Sequence, residues 1–400
     1  MESNIDYRKL NPDRKSGEPL HLQLHHSLVR EIRSLPPNRH VALMSERELA
    51  LQLKLSRRTT HRAYEQLIAD RLVRRMPDKS LVVRSDARTR ITGAYPVIGV
   101  LIAVDIVKLM EQDNRRIVPY LEGLIGRSSQ RKISCIMLRA PDPSASPEEI
   151  EAFAEEHFPR LCGLIHLGGL GENTTGDPVL EQILRHTEIP QVCISGSVPN
   201  ANTGSVYADP AAGLDELCRT LKERGFHSAG VIGNQFFPQV FRYVAANRPD
   251  AMREALKRNG LECRYVLRVD QNTFREQITA VLTAPDRPDV LLCHDDRMAH
   301  QVMEEAARLG IAVPDDLALA GYDCKQDDPF LASVFTDPRR IAGNTVDMVM
   351  EHFENGISED NSIGILPTHF IDGISLKKPL NLRNSPVQVD HYPKSLKNIK

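Results

Sequence analysis

Six consecutive residues, Arg57-Arg58-Thr59-Thr60-His61-Arg62, carry side chains suited to reading a polyanion. Arginine forks onto guanine edges, while hydroxyls and backbone amides hold phosphate oxygens. Such chemistry needs the side chains to leave one rigid face, so the elements around them decide the matter. Ser56 precedes the run as a helix cap, and Thr60, Ala63, Tyr64, Leu67 and Ile68 recur at helical spacing. That pattern predicts a helix which buries one stripe and turns Arg57, Arg58, Thr59, His61 and Arg62 outward. With Ser56 at the cap, these are the candidate DNA-contacting residues.

Ahead of them, Ser45 and Glu48 have the spacing of a capping box, and Leu49, Ala50 and Leu53 give a first helix its apolar side. This helix starts near Glu46, and Lys54-Leu55 form a corner. A capped helix, a tight turn and a second capped helix together suit the major groove. A solvated basic helix is the plain alternative, but charge alone would not bring both caps and the corner with it. Upstream, Leu20, Leu24, Leu28 and Ile32 repeat every four residues in a helix over 19–34, with His21, His25 and His26 expected on its exposed side. Pro36-Pro37 stops it. Downstream, residues 72–76 and 81–84 read as two strands around the turn Pro77-Asp78-Lys79-Ser80. Three helices and a hairpin make a winged helix over 19–86, with 1–18 a flexible arm and 87–96 a polar linker.

These residues resemble the DNA-binding domain of the GntR family, through LMSERELA at 43–50, LSRRTTHRAY at 55–64 and RLVRRMPDKSLVV at 71–83. The resemblance implies that Arg47, Arg57, Thr59 and His61 occupy the family's DNA-contact positions, with Arg58 a further candidate. His61 stands where the family commonly has arginine, and Asp78 and Ser80 replace two wing-tip glycines.

The 400 residues are 41% hydrophobic without a long apolar run, which predicts two or three well-cored domains and no membrane span. The charged N-terminus lacks a signal core, so a cytoplasmic protein is expected. Seven scattered cysteines without metal spacing read as reduced core thiols, and no metal or cofactor is expected. The net charge of −2 conceals an asymmetry: residues 1–92 carry +8 and the remainder −10. A basic head on an acidic body concentrates attraction for a polyanion in one domain.

From residue 97 the grammar changes. Strand-like runs at 98–104, 133–138, 163–167, 190–194, 229–232, 289–293 and 317–321 alternate with helix-length amphipathic stretches. Buried strands alternating with helices predict parallel sheets covered on both faces. Roughly 280 such residues exceed one typical core. Two lobes with a ligand cleft at strand carboxyl ends are therefore expected over 97–378, followed by a disordered tail over 379–400.

Here the chain resembles the effector domain of LacI/GalR regulators, which is similar to periplasmic sugar-binding proteins. The residues that carry the likeness are IGVLI at 98–102, RPDAMREAL at 248–256, PDVLLCHDDRMA at 288–299 and GIAVPDDLALAGYD at 310–323. The resemblance implies that Arg248, Asp295 and Asp323 hold ligand hydroxyls and that Asp105 lines the other lobe. Carboxylates accept from vicinal hydroxyls and a guanidinium donates two parallel bonds. The structural alternative makes Asp296 a cap of the following helix, Asp323 a turn residue and Arg248 an ion-pair partner. There is no Trp, so stacking on a sugar would come from Phe236, Phe237, Tyr207 or Tyr243, with Phe236 the candidate.

The segment 168–171 lacks dinucleotide spacing, Ser195 lacks the nucleophile-elbow pattern, and His294-Asp295-Asp296 cannot close a coordination sphere alone. The two resemblances joined look like the arabinose repressor group. They imply a homodimeric, sugar-responsive repressor acting on a DNA operator, with no enzymatic activity. A solute-binding receptor module whose basic head takes a non-DNA partner is the alternative, and an enzyme on the two-lobed scaffold a third reading.

Overall fold

The computed structural model describes residues 5–35, 41–84, 86–93, 95–102, 117–142, 144–167, 178–186, 189–194, 203–234, 248–323 and 328–377. By internal contacts the chain divides into two units, one of Met1–Ile194, Val198–Val206 and Ala342–Gly364, the other of Ser195–Ser197, Tyr207–Ile341 and Ile365–Lys400.

The first unit opens with α1 (Leu20–Ser34), α2 (Glu46–Gln52), α3 (Arg57–Ala69), β1 (Val73–Arg75), β2 (Leu81–Val83) and α4 (Ala87–Thr92). Both expected caps form. The Ser45 hydroxyl accepts from the Glu48 N–H while the Glu48 carboxylate reaches back to Ser45, and the Ser56 hydroxyl accepts from the Thr59 N–H. Leu24, Leu28, Ile32, Leu49, Ala63, Tyr64 and Leu67 close one core with Val73, Leu81 and Val83. Each large side chain so buried contributes about 1.5–3 kcal/mol. The two strands pair antiparallel with Val73 opposite Val83.

Three expectations about this region are corrected. Residues 5–10 are no loose arm: Ile5, Tyr7 and Leu10 are buried, and Tyr7 Oη accepts from the Met44 N–H at 2.7 Å. The polar composition of the segment hid three apolar residues that suffice to anchor it. The expected linker contains a helix, α4, packed on α1. Arg90 of this helix is engaged locally: buried Asp86 accepts from Arg84 Nε at 3.0 Å and Arg90 Nε at 2.6 Å. His25 is buried, not exposed, with Nε2 2.7 Å from Asp70 Oδ2. Because α1 packs on both α3 and α4, its covered stripe is wider than a single four-residue repeat suggests.

The remaining elements are β3 (Val97–Ile102), α5 (Ile117–Arg131), β4 (Ser134–Arg139), α6 (Pro147–His157), β5 (Gly163–His166), α7 (Pro178–Leu184), β6 (Gln191–Ile194), β7 (Thr203–Asp209), α8 (Ala211–Glu223), β8 (Ser228–Asn234), α9 (Arg248–Arg258), β9 (Glu262–Val269), α10 (Phe274–Thr283), β10 (Val290–Cys293), α11 (Asp296–Arg308), β11 (Ala318–Tyr322), β12 (Ala332–Phe335), α12 (Pro338–Asn355), β13 (Ile363–Pro367) and β14 (His369–Ile371). Among the described residues they form two six-stranded sheets, ordered β13-β7-β6-β5-β3-β4 and β14-β12-β11-β10-β8-β9. Parallel pairing runs from β4 through β3, β5 and β6 to β7 in the first sheet, and from β9 through β8, β10 and β11 to β12 in the second, where β14 closes the edge antiparallel.

The second sheet shows why its strands read as unbroken apolar runs. Val290 and Leu292 face a core with Leu217 and Leu256 of α8 and α9, while Leu291 and Cys293 face a separate core with Ile278 and Val302 of α10 and α11. Alternation is present in direction but not in polarity. The strands absent from the sequence reading, β9 and β14 among them, lie at sheet edges or carry polar residues.

In the first sheet His166 ends β5 fully enclosed, with Nε2 2.7 Å from Gln191 Oε1. Burial pushes its pKa down to about 4 from an ordinary value near 6.5, against the opposing pull of the Gln191 hydrogen bond. The folded state therefore binds fewer protons than the unfolded state between these values, so its stability is full above pH 6.5 and falls on acidification towards pH 4, by up to about 3 kcal/mol. Urea midpoints at pH 7.5 and pH 5 are expected to show this slope, with buried His352 adding in the same direction. A His166→Leu variant, less stable at both values, is expected to lose most of it.

Candidate functional site

Two clusters carry chemistry, one in each unit. In the first unit α3 is seated by its buried stripe. Thr60 is fully buried and its hydroxyl lies 3.1 Å from the Glu46 carbonyl and 3.0 Å from that of Arg57, fastening the start of α3 to the start of α2. Tyr64 Oη donates to the Met44 carbonyl at 2.8 Å, and burial raises its pKa, so the hydroxyl stays protonated as a donor. Opposite this stripe Arg57, Arg58, His61 and Arg62 are exposed, as is Arg47 on α2. Ser56 and Thr59 hydroxyls lie 2.7 Å apart at the cap, so their first role is local.

Sequence reasoning missed Glu46. Its carboxylate lies 3.0 Å from His61 Nδ1 and 3.9 Å from Arg57 Nε, an acid within the basic face. In the hairpin the Asp78 carboxylate accepts from the Ser80 N–H at 2.9 Å and the Ser80 hydroxyl at 2.6 Å, and the hydroxyl bond foremost lowers its pKa. Lys79 takes φ +68 between them, the left-handed conformation that favours glycine. Arg74 of β1 donates to the Asn355 carbonyl at 3.3 Å, at the end of α12.

In the second unit the structure brings Arg248 and Asp323 together. Arg248 begins α9 and donates through Nη1 and Nη2 to the two Asp323 oxygens at 3.0 and 2.7 Å, a bidentate pair whose side chains are 14% and 23% exposed. The guanidinium also reaches the His294 carbonyl at 3.3 Å and lies over the Tyr322 ring, 4.1 Å from its centre. Asp323 follows β11 at φ +89, a strained position for a residue with a Cβ. Asp295 is buried and caps α11 by accepting from the Met298 N–H at 2.8 Å. The expected cap, Asp296, instead accepts from the Ser333 hydroxyl at 2.7 Å. Asp105, Phe236, Phe237 and Tyr243 lie outside the described residues, and Tyr207 is half-buried in β7.

Residues 218–376 match a family described as periplasmic binding protein-like domain. The match covers the Arg248–Asp323 cluster and stops short of the basic head. The chain is 20% identical over 207 residues to the HTH-type transcriptional repressor PurR of Aliivibrio salmonicida, covering 50% of this chain and 62% of that one. It is 24% identical over 178 residues to catabolite control protein A of Staphylococcus aureus, covering 44% and 51%. The chain thus spans less than two thirds of the length of these curated relatives. Among solved structures, a LacI transcriptional regulator from a Rhodococcus species aligns over 70% of this chain and 98% of its own with a TM-score of 0.55 and 19% identity. A dimeric Lac repressor aligns over 71% and 100% with a TM-score of 0.55 and 18% identity. These likenesses show the fold: an α/β body of the periplasmic-binding-protein type with parallel sheets. No described helix is long and apolar enough to cross a membrane.

The packing beneath the second cluster generates a test. A Cβ on Gly321 would run into the Asp296 carboxylate, which has no room to retreat while it holds Ser333. Gly321→Ala is expected to destabilise the protein by about 1–3 kcal/mol, read as a lower urea midpoint with unchanged slope.

Proposed function

We propose that this chain is a ligand-responsive, sequence-specific DNA-binding transcriptional regulator, a repressor of carbohydrate-utilisation genes, working as a cytoplasmic homodimer and not as an enzyme. Its head, residues 19–86 with the preceding arm, is a winged helix of the GntR type, and its body is a LacI-type sensor, the combination of the arabinose repressor group. The observation that carries the reading is the fastened α3, with a buried stripe on one side and Arg57, Arg58, His61 and Arg62 exposed on the other. A helix so held suits the major groove, and the +8 charge of residues 1–92 supplies the sequence-independent attraction. A relative named as an HTH-type transcriptional repressor supports the same class.

A homodimer follows from economy of contact. One such head meets too few base pairs to discriminate, so two act on half-sites of a pseudo-palindromic operator. In the body, Arg248 and Asp323 recognise the hydroxyls of a sugar or sugar derivative, with Asp295 and an aromatic residue such as Phe236 as further candidates. The paired guanidinium and carboxylate are preorganised for that work, since a vicinal diol offers a donor and an acceptor where the pair already aligns its own. Ligand changes operator affinity only as far as it prefers one conformational state of the body, with coupling of about 1–3 kcal/mol.

The test is selection of a randomised duplex pool by the purified full chain, with a thermal-shift screen of pentoses, hexoses and their acids. A ligand that binds only the folded state raises the melting temperature. Enrichment of a palindromic motif and a sugar hit are expected. Failure to enrich any duplex would sink the DNA reading. Arg57→Ala is expected to weaken binding to the selected duplex by about tenfold or more, equivalent to ~1–3 kcal/mol, with the sugar-induced shift intact. Arg248→Ala is expected to abolish the sugar-induced shift and leave duplex affinity unchanged, and normal ligand binding by that variant would refute the assignment.

A further inference from the structure

The acid inside the basic face has no place in a surface that only attracts phosphate. Glu46 is the first residue of α2, its backbone carbonyl is engaged by Thr60, and its carboxylate lies beside His61 of α3. The Glu46 side chain is 19% exposed, whereas the His61 and Arg57 side chains are 51% and 76% exposed. It lies 3.0 Å from His61 Nδ1, a full hydrogen bond, and 3.9 Å from Arg57 Nε, a loose ion pair.

We propose that Glu46 is a positioning residue that selects the base read by His61. The inference rests on the DNA-binding reading above. An ionised carboxylate can only accept, so Nδ1 must carry the proton of the bond to Glu46. Nε2 is then the ring atom left for a partner from outside, and its character is set by what Glu46 does to Nδ1. In the neutral ring it is an acceptor, matched in the major groove by the exocyclic amine of adenine or cytosine. Without an obligatory acceptor at Nδ1, the proton moves freely between the two nitrogens and the preference relaxes. The carboxylate also opposes phosphate, so it lowers affinity for any duplex while sharpening the choice among duplexes. The pair's charged neighbours along the two helices are Arg47 and Glu48 on α2, and Arg57, Arg58, Arg62 and Glu65 on α3. Glu48 is occupied by Ser45 and Glu65 by Arg75, so neither competes for His61.

The experiment uses the full chain as wild type, Glu46→Gln, His61→Ala and the double variant. Each is tested on the duplex enriched from the randomised pool, on that duplex with each half-site position changed in turn, and on unselected duplex. Gln retains the size of Glu46 but can donate as well as accept, so it no longer dictates the tautomer. Glu46→Gln is expected to bind unselected duplex more tightly than wild type, and to lose about three- to tenfold discrimination at one position of each half-site, the worth of a single hydrogen bond. In the His61→Ala background the same substitution is expected to change that position no further. A structural defect would instead weaken binding to every duplex. Overturning results are an unchanged base preference in Glu46→Gln, or an equal loss with and without His61. If wild type enriches no duplex at all, the parent reading falls and this one with it, which is distinct from enrichment that ignores Glu46.

Discussion

The basic face depends on the backbone of one residue, Met44. Its N–H donates to Tyr7 Oη at 2.7 Å and its carbonyl accepts from Tyr64 Oη at 2.8 Å, so the chain entering α2 is held from both sides by buried phenols. Each bond adds only about 0.5–1.5 kcal/mol net, but leaving any member unpaired inside the core would cost more than the bond adds. The node therefore fixes geometry more than it supplies stability. It sets the start of α2 against the middle of α3, and the Thr60 hydroxyl repeats the fastening one turn earlier. Outward display of the arginines is the consequence of these inward bonds.

Much of that arrangement was legible in the residues. Ser45, Glu48 and Ser56 announce helix starts because capping is a local reaction between a side chain and a backbone group three residues away. The buried strands of the body were legible for a similar reason: a strand covered on both faces is apolar throughout, as Val290 to Cys293 is. What escaped was whatever depends on partners distant in sequence. Tyr7 looks like part of a polar arm until Met44, thirty-seven residues on, is placed beside it. Arg90 reads as a linker charge until buried Asp86 is seen to hold it together with Arg84. Glu46 reads as a helix-start residue, which it also is; its contact with His61 spans fifteen positions.

The cluster of the second unit shows the same division from the other side. The residue types Arg248 and Asp323 were chosen by resemblance, and the structure joins them in a bidentate pair. The resemblance did not supply what holds them: a tyrosine ring beneath the guanidinium, a carbonyl of His294 beside it, and a backbone at φ +89 that turns Asp323 towards α9. A half-buried ion pair is a poor source of stability, since desolvation offsets much of the Coulomb gain. Asp295 illustrates the limit of motif transfer. The acid stands where a ligand contact was expected, yet one of its oxygens caps α11, and any further role must share the side chain with that bond.

A sensor that controls a reader needs a stiff connection, because a flexible tether lets each end move without the other. The composition of residues 87–96 suggested such a tether. With α4 packed on α1 and Asp86 clamped between two arginines, only residues 93–96 separate the head from β3. Four residues can span about 14 Å when fully extended, little more than the width of a helix. Arg74 adds a second point of attachment to the carbonyl that ends α12. A regulator of the kind proposed has only a small coupling free energy to transmit, and a short tether braced by buried charge leaves few conformations in which to dissipate it.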